Sequence, residues 1–315
     1  MSDGDKISAA LAVGHRKADE IVARRKIARA KRVGALEGHS ASLELQTRFT
    51  TAEGMTATAS FRTAGFLVAA GDSWFDYPFC DVLKVLEDSY GYNVESAAHS
   101  GAPIEAMAYY GGQLEQFARC LEKVLALGAT PKAVLLSGGG DDIAGNEFGM
   151  LLNNATSSIA GWNAEIIDGL LNQRIVTAYT SMLGSINGLC ERYLQKKIPI
   201  FVHGYDYPVP DGRGFWGGWP FPGPWLEPGF QEKLFTDLRK NIALLHDLID
   251  RFNAMLAALA KEPGLANVLY VDLRGTLSTK LENDDYKQWW DNELHPTERG
   301  FDAVTARFAV ELGKL

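Results

Sequence analysis

Cysteine is scarce in this chain, and long apolar runs are absent from it. Three cysteines, Cys80, Cys120 and Cys190, occur in 315 residues; their number is odd and no pair has the spacing of a zinc site. We therefore expect buried free thiols in a reducing, cytoplasmic compartment. No run reaches the roughly 18 apolar residues that span a bilayer, and no apolar segment follows the positive charges near the N-terminus. These absences predict neither a membrane span nor a visible export signal.

Charge is distributed unevenly along the chain. The sequence carries 39 acidic and 31 basic residues, a net charge of −8 that argues against a nucleic-acid footprint over the whole surface. Residues 15–33 hold eight basic and two acidic residues, a net +6, which leaves −14 for the rest of the chain. We interpret residues 1–42 as a basic helical arm and residues 43–315 as an acidic body. The arm is either solvated, packed on the body, packed on another subunit in a homo-oligomer, or bound to an anionic partner such as acidic lipid or nucleic acid.

Short apolar runs alternate with longer helical stretches in the body. The predicted strands are residues 65–70, 92–97, 133–137, 198–204 and 268–272, and the predicted helices are 79–89, 112–127, 176–196, 231–261 and 297–312. In the fourth helix we expect Leu234, Leu238, Leu245, Leu248, Ile249 and Phe252 to face the core. A hairpin is predicted within residues 42–62. The alternation is typical of an α/β fold with a parallel sheet covered by helices, so the body is predicted to be one domain.

One stretch, residues 205–230, follows neither the helical nor the strand period. It contains eight aromatic residues and six of the 12 prolines. A long irregular loop inside a compact domain usually has a functional role, so we interpret it as a lid beside a binding site. The alternative is a loop that only covers the core.

Four short segments stand out, and most of them lie at or just after the end of a predicted strand, where open α/β sheets place their ligands; the fourth lies in the loop before the last helix. They are Gly-Asp-Ser-Trp-Phe at 71–75, Ser-Gly-Ala at 100–102, Ser-Gly-Gly-Gly-Asp-Asp-Ile at 137–143, and Asp-Asn-Glu-Leu-His-Pro at 291–296. Ser73 is exposed on a sharp turn in this interpretation. His295 has acidic and amide neighbours upstream and a helix downstream. A serine nucleophile needs such a base within hydrogen-bond reach, and the base needs an orienting partner.

In this order, the four segments resemble the motif blocks of the SGNH, or GDSL, hydrolase family of serine esterases. Those blocks are Gly-Asp-Ser, a glycine after the second strand, Gly-x-Asn-Asp and Asp-x-x-His-Pro. The resemblance implies a three-layer, flavodoxin-like sandwich with a five-stranded parallel sheet in the order 2-1-3-4-5. It also implies a small-molecule ester substrate and an acyl-serine intermediate. Acyl transfer to water needs no metal or cofactor, and none is expected.

The resemblance also implies roles for individual residues. Ser73 attacks the ester carbonyl, and His295 removes the proton of Ser73. The backbone N–H groups of Ser73 and Gly101 and the side chain of Asp141 hold the oxyanion. Asn292 occupies the position of the triad acid, three residues before the histidine.

Two of these positions depart from the family pattern. Asp141 stands where the family has Asn, and an ionised carboxylate about 4 Å from an oxyanion would repel it by roughly 4 kcal/mol. Asp141 must therefore be protonated, be turned away from the oxyanion, or reduce the rate of turnover. Asn292 stands where the family has Asp, and such a change can cost about 10⁴ in rate because the wrong histidine tautomer is held. A shifted Asp291 carboxylate or a backbone carbonyl could orient His295 instead.

Two functions are compatible with the sequence. The first is an esterase, which could be slow, acting on an acyl or acetyl ester of a small molecule, a lipid or a sugar. The second is a protein with impaired turnover that binds a ligand under the aromatic loop. The side chains expected to contact the substrate are Trp74, Asp206, Trp216 and Trp219.

Overall fold

The structure is a computed structural model that describes residues 3–37, 63–110, 112–145 and 147–315. Five strands form a parallel sheet in the order β2-β1-β3-β6-β7. These strands are β1 (Gly65–Ala70), β2 (Tyr92–Ser96), β3 (Pro131–Leu136), β6 (Ile200–His203) and β7 (Val268–Val271), and a separate two-stranded sheet pairs β4 (Leu152–Asn153) with β5 (Gly161–Trp162). The predicted fold class and strand order are confirmed. The hairpin predicted within residues 42–62 lies outside the described residues.

Helices cover both faces of the sheet. They are α1 (Asp3–Glu37), α2 (Val82–Tyr90), α3 (Ile104–Tyr109), α4 (Gly112–Ala126), α5 (Ala164–Gly169), α6 (Val176–Leu194), α7 (Glu227–Glu232), α8 (Leu238–Leu259) and α9 (Glu298–Leu312), with a π-helical turn at Leu170–Ile175 between α5 and α6. All four residues of β6 are buried, as are the last four of β1 and of β3. A parallel sheet covered on both faces needs such continuous apolar strands, and this is why the strands were readable from the sequence.

The helix predicted over residues 231–261 is broken in the structure. A short helix, α7, ends at Glu232, and Leu234 takes a left-handed φ of 65°. Leu234 is 55% exposed, which corrects its assignment to the core. The long helix α8 begins only after Asp237, whose side chain accepts the backbone N–H groups of Arg239 and Lys240. An aspartate cap of this kind fixes a helix start regardless of apolar spacing upstream.

Helix α1, which forms most of the predicted arm, packs on the body. Ala10, Gly14, Ala18 and Ile21 are buried along one side of it. A Cβ at Gly14 would lie 2.1 Å from the backbone oxygen of Ser181 in α6, so only glycine permits this approach. Two ion pairs, Arg25 with Glu122 and Asp19 with Arg192, tie the helix to α4 and α6. Contact with the body is thus observed, while a second copy or an anionic partner stays a prediction.

Within the described ranges, no helix is long and apolar enough to cross a membrane. The same residues contain no group of three or more histidine, cysteine, aspartate or glutamate side chains placed to hold a metal ion. All three cysteines are free; Cys120 and Cys190 are buried and Cys80 is half-buried.

Candidate active site

Ser73 and His295 meet at the carboxyl edge of the sheet, although they are 222 positions apart. Ser73 lies in the loop after β1, where the Asp72 side chain accepts the N–H of Trp74 at 3.0 Å and makes the turn tight. His295 comes from the loop before α9. The distance between Ser73 Oγ and His295 Nε2 is 2.7 Å, and their exposed fractions are only 8% and 6%. The two residues expected to react are therefore in hydrogen-bond contact.

The carboxamide of Asn292 orients the imidazole. Its Oδ1 lies 3.0 Å from His295 Nδ1 and 3.0 Å from the backbone nitrogens of Leu294 and His295. Backbone N–H groups can only donate, so the atom that they contact is the amide oxygen. His295 must then carry its proton on Nδ1 and present an unprotonated Nε2 to Ser73. This tautomer is the one a general base needs, which corrects the expectation that Asn292 holds the wrong one.

The other end of the Asn292 carboxamide is also engaged. Asn292 Nδ2 donates to the hydroxyl of Tyr77 at 2.9 Å and to Oδ2 of Asp291 at 3.2 Å. The Tyr77 hydroxyl donates in turn to the same Asp291 oxygen at 2.8 Å. The Asp291 carboxylate therefore contacts Asn292 and not the imidazole of His295, although the Asp291 backbone N–H donates to the His295 backbone oxygen at 2.9 Å. Of the orienting groups considered from the sequence, the Asn292 oxygen occupies the place behind the imidazole, and neither a shifted Asp291 nor a backbone carbonyl does.

His295 is enclosed by aromatic rings. Tyr77 stacks on the imidazole with ring centroids 4.2 Å apart and planes 16° from parallel, and Trp225 meets it edge-on at 5.6 Å. Burial lowers the pKa of His295 to about 3, because the charged imidazolium loses its hydration. The imidazole is thus neutral at ordinary pH and able to accept a proton from Ser73.

A buried network around Asp72 joins the loop after β1 to two other loops. Asp72 accepts the Ser137 hydroxyl at 2.6 Å and the Tyr205 hydroxyl through its second oxygen. Tyr205 also accepts the backbone N–H of Gly140 at 3.0 Å. A Cβ at Gly140 would lie 2.9 Å from the Tyr205 ring, which explains the glycine. The network fixes the position of the backbone just before Asp141.

Asp141 and Asp142 follow Gly140 and differ in their contacts. Asp142 accepts the backbone N–H of Ile104 at 2.7 Å and so fixes the start of α3, close to Gly101. Asp141 lines the cavity beside Ser73, and no described residue hydrogen-bonds to its carboxyl group. Burial and the like charges of Asp72 and Asp142 raise the pKa of Asp141 to about 7. Asp141 can therefore exist as a neutral acid near neutral pH.

Gly101 lies in the loop between β2 and α3 with a left-handed φ of 75°. This loop approaches the loop of Ser73: the N–H of His99 donates to the Gly71 oxygen at 2.9 Å, and the N–H of Ser100 donates to the Asp76 carboxylate at 3.0 Å. The second sequence segment is therefore brought to the same edge of the sheet as the first.

A cavity of about 60 Å³ opens beside Ser73. Its wall is mainly apolar and includes Ile143, Leu226, Leu245, Leu248, Ile249 and Trp290. An engineered cavity that binds benzene measures about 150 Å³, so this one fits an acyl group of a few carbons. The floor is well packed, because the Trp74 ring lies edge-on to both Tyr205 and Trp290.

The four residues expected to contact the substrate are placed differently with respect to this cavity. Trp74 and Asp206 line it, but Trp74 Nε1 is bound to the Leu294 oxygen at 3.1 Å, and Asp206 accepts backbone N–H groups of residues 207, 275 and 277. The polar atoms of both side chains are thus bonded to neighbouring backbone and stabilise the wall of the cavity. Trp216 and Trp219 do not line the cavity; they lie on the outer surface of residues 205–230, 64% and 94% exposed.

Glu293 was not singled out by the sequence analysis, yet it holds the loop of residues 205–230 (the aromatic loop) against the loop that carries His295. Its carboxylate is fully buried and accepts four backbone N–H groups, those of Gly212, Trp225, Leu226 and Glu227, at 2.6 to 3.0 Å. Four such bonds satisfy all the ordinary acceptor capacity of a carboxylate. The only signal in the sequence was a glutamate two residues before the histidine.

The fold is a flavodoxin-like α/β sandwich in which Ser73 and His295 meet at the carboxyl edge of a five-stranded parallel sheet, where folds of this class place their ligands. The model of the GDSL-like lipase/acylhydrolase family matches residues 67–308, and the chain belongs to this family. No curated protein matches the chain at a significant level.

Several solved structures are similar to the chain. A candidate GDSL-like lipase from Parabacteroides merdae is 11% identical, with a TM-score of 0.44, and the match covers 80% of this chain and 98% of that one. An acetylxylan esterase from Geobacillus stearothermophilus is 15% identical, with a TM-score of 0.41 and coverage of 80% and 95%. A candidate SGNH hydrolase from Slackia heliotrinireducens is 12% identical, with a TM-score of 0.43 and coverage of 79% and 98%.

Proposed function

We propose that the chain is a serine esterase that hydrolyses esters of short acyl groups through an acyl-serine intermediate. The observation that carries the proposal is the hydrogen-bonded series from Ser73 to His295 to Asn292, in which only one imidazole tautomer is allowed. A base held in this tautomer, 2.7 Å from the hydroxyl, is the arrangement that activates a serine.

The reaction proceeds in two steps. Ser73 Oγ attacks the ester carbonyl carbon while its proton moves to His295 Nε2, and the carbonyl oxygen becomes an oxyanion. The oxyanion collapses, the alcohol takes the proton from His295 and leaves, and the acyl group remains on Ser73. Water then attacks the acyl-serine, and His295 receives its proton and returns it to Ser73 as the carboxylic acid departs.

Three groups are proposed to hold the oxyanion: the backbone N–H of Ser73, the backbone N–H of Gly101 and the carboxyl group of Asp141. Asp141 acts in its neutral form and donates its O–H, so the departure from Asn exchanges one neutral donor for another. The like charges of Asp72 and Asp142 support the protonated state, as does the lack of a basic side chain among the described residues that line the cavity. A single oxyanion donor is worth about 10² to 10³ in kcat.

The acyl group is proposed to occupy the apolar cavity. Its volume of about 60 Å³ suits acetyl to butyryl groups and is too small for a long fatty acyl chain. Because Trp216 and Trp219 are exposed outside the cavity, they are proposed to contact the alcohol part of the ester.

The test is hydrolysis of p-nitrophenyl acetate, butyrate and octanoate by the purified protein at pH 6. We expect turnover of acetate and butyrate well above that of octanoate. Ser73→Ala should abolish it, because the residual rate without the nucleophile is typically about 10⁶-fold below wild type. Ser157→Ala, a change at an exposed serine, is the matched control and should have no effect.

A serine-directed fluorophosphonate distinguishes the esterase from the ligand-binding alternative. The proposal requires labelling of Ser73 and loss of the label in Ser73→Ala. A wild-type protein that neither labels nor hydrolyses any of the three esters would contradict it and favour the binding protein.

A further inference from the structure

We propose that Asp291 and Tyr77 are positioning residues for the base: Asp291 acts on His295 through the carboxamide of Asn292, and Tyr77 holds both ends of this relay. The inference rests on the proposed esterase function. It assigns the role of the triad acid to Asn292 and Asp291 acting in series. The arrangement on which it depends is the ring of hydrogen bonds among Tyr77, Asp291 and Asn292.

A neutral carboxamide alone leaves one requirement of the reaction unmet. When Ser73 transfers its proton, His295 becomes an imidazolium, and Asn292 offers a dipole but no negative charge. The carboxylate of Asp291 lies one hydrogen bond further away, 3.2 Å from Asn292 Nδ2. Hydrogen bonds in series polarise one another, so a carboxylate on the amide N–H makes the amide oxygen a stronger acceptor for the Nδ1–H. Asp291 therefore stabilises the imidazolium without touching it.

Tyr77 contributes through its hydroxyl and through its ring. The hydroxyl bridges Asp291 and Asn292, and burial together with the bond to Asp291 raises the pKa of Tyr77, so it stays a neutral donor. The ring stacks on the imidazole at 4.2 Å. This contact is between two neutral rings in the resting state, and it becomes a cation–π contact when His295 is protonated.

The charged surroundings of His295 favour this assignment. Besides His295 itself, Asp291 and Tyr77 are the titratable side chains among the described residues that contact Asn292, while the Glu293 carboxylate accepts backbone N–H groups of residues 212–227. The guanidinium of Arg213 donates to the backbone oxygen of Asp291 at 2.9 Å and not to its carboxylate. Asp141 lines the cavity of Ser73 and has no bond to the Asn292 side. Asp291 is exposed, so water screens its direct effect, and the hydrogen bond through Asn292 is the main route of its action.

The experiment compares Asp291→Asn, Asn292→Asp and the double exchange Asp291→Asn/Asn292→Asp by kcat, KM and pH profile on p-nitrophenyl acetate. Asp291→Asn should lower kcat about tenfold with KM unchanged. Loss of the hydrogen-bond partner behind a metal-bound histidine has a cost of this size, and Asp291 holds a comparable place behind Asn292. It should also move the acid limb to lower pH, because a negative charge that favours the imidazolium is removed. Asn292→Asp should move that limb to higher pH, since it places a carboxylate beside Nδ1.

The double exchange is the most discriminating of the three variants. It restores one carboxylate and one carboxamide with their donors and acceptors interchanged, and it should recover at least wild-type kcat. Tyr77→Phe, which keeps the ring, should lose less activity than Tyr77→Leu. Asp302→Asn, at an exposed carboxylate on α9, should change neither kcat nor the acid limb.

The outcomes separate this inference from the proposed function. If Asp291→Asn folds with an unchanged melting temperature and keeps both kcat and the acid limb of wild type, the inference is wrong while the esterase stands. If wild type itself shows no Ser73-dependent hydrolysis, the proposed function fails first. If Asp291→Asn does not fold, Tyr77→Phe provides the independent measurement. In that variant the NMR signal of the His295 Nδ1 proton should lie upfield of its wild-type position. A signal at the wild-type position would contradict the relay.

Discussion

The loop of Asn292 and the loop of Asp141 both depart from the family pattern, and they use their polar atoms in opposite ways. Both ends of the Asn292 carboxamide are bonded, to His295 and backbone N–H groups on one side and to Tyr77 and Asp291 on the other. The Asp141 carboxyl has no hydrogen bond within the described residues and faces other carboxylates. The first loop fixes a tautomer by geometry, whereas the second favours a protonation state by burial and charge. An exchange of Asn and Asp can thus preserve the chemistry of each position by different means.

The largest effect is expected from removing the geometry of the first loop. Asn292→Ala deletes the acceptor of the Nδ1–H, so the imidazole loses its tautomer and its orientation. We expect kcat/KM to fall by about 10³ to 10⁴, as for loss of a triad acid. Asn172→Ala, at an exposed asparagine on the π-helical turn, is the control. Activity within tenfold of wild type would show that the bonds to Asn292 do not matter for turnover.

The second loop is tested by pH. Because the pKa of Asp141 is raised to about 7, its neutral form is lost as the pH rises through that value. Wild-type kcat should therefore fall above pH 7, by roughly 100-fold at pH 9 if the ionised form is inactive. Asp141→Asn has no proton to lose there, and its profile should stay flat from pH 7 to 9. An identical alkaline limb in both proteins would exclude Asp141 as its source.

Glu293→Gln probes how far the rigidity of the first loop depends on a single carboxylate. The change places an NH₂ group against two of the four backbone N–H groups, leaving donors unpaired. We expect a loss of about 1 to 3 kcal/mol in the free energy of unfolding, measured with urea. Cleavage by protease within residues 212–227 should also become faster. Glu282→Gln, at an exposed glutamate, serves as the reference and should change neither quantity.

Tyr205→Phe is expected to have the smallest effect on the pH profile and sharpens the distinction between the loops. It removes the hydroxyl that joins Asp72 to Gly140 and leaves two buried polar groups without this partner, at a cost of about 1 to 3 kcal/mol in stability. Asp72 and Asp142 remain as the charged neighbours of Asp141, so the alkaline limb should stay near pH 7. A limb displaced by a full unit would mean that the bonded network, and not the neighbouring charges, sets the protonation of Asp141.

The sequence was sufficient for the sheet because its strands are continuous apolar runs bounded by glycine and polar residues. The bounds of β1 agree at both ends with the prediction. The break before α8 was missed because Leu234 fits the helical spacing, and the periodicity does not register the cap at Asp237. The packing of α1 on the body was one of the alternatives drawn from the sequence, and the sequence could not decide it because close contacts are made at glycine and alanine, which carry little hydrophobic signal.

At the site, the sequence identified the reacting pair but not the residues that support it. Ser73 and His295 stand in recognisable local segments. Tyr77 and Tyr205 lie outside those segments, and their partners are 214 and 133 positions away, so no local pattern reports them. Trp216 and Trp219 were expected to contact the substrate from composition alone, which counts aromatic rings but does not show that both lie on the outer side of their loop.

The bonds of Glu293 have a consequence for protein engineering. Four peptide groups of residues 212–227 converge on one carboxylate that lies 66 to 81 positions further along the chain. The shape of that loop is therefore encoded partly in the segment that carries the histidine. A transplant of residues 205–230 into another hydrolase would not keep its shape unless a glutamate came with it two residues before the recipient's histidine. Loop and histidine segment form one exchangeable module, and natural recombination would have to move them together.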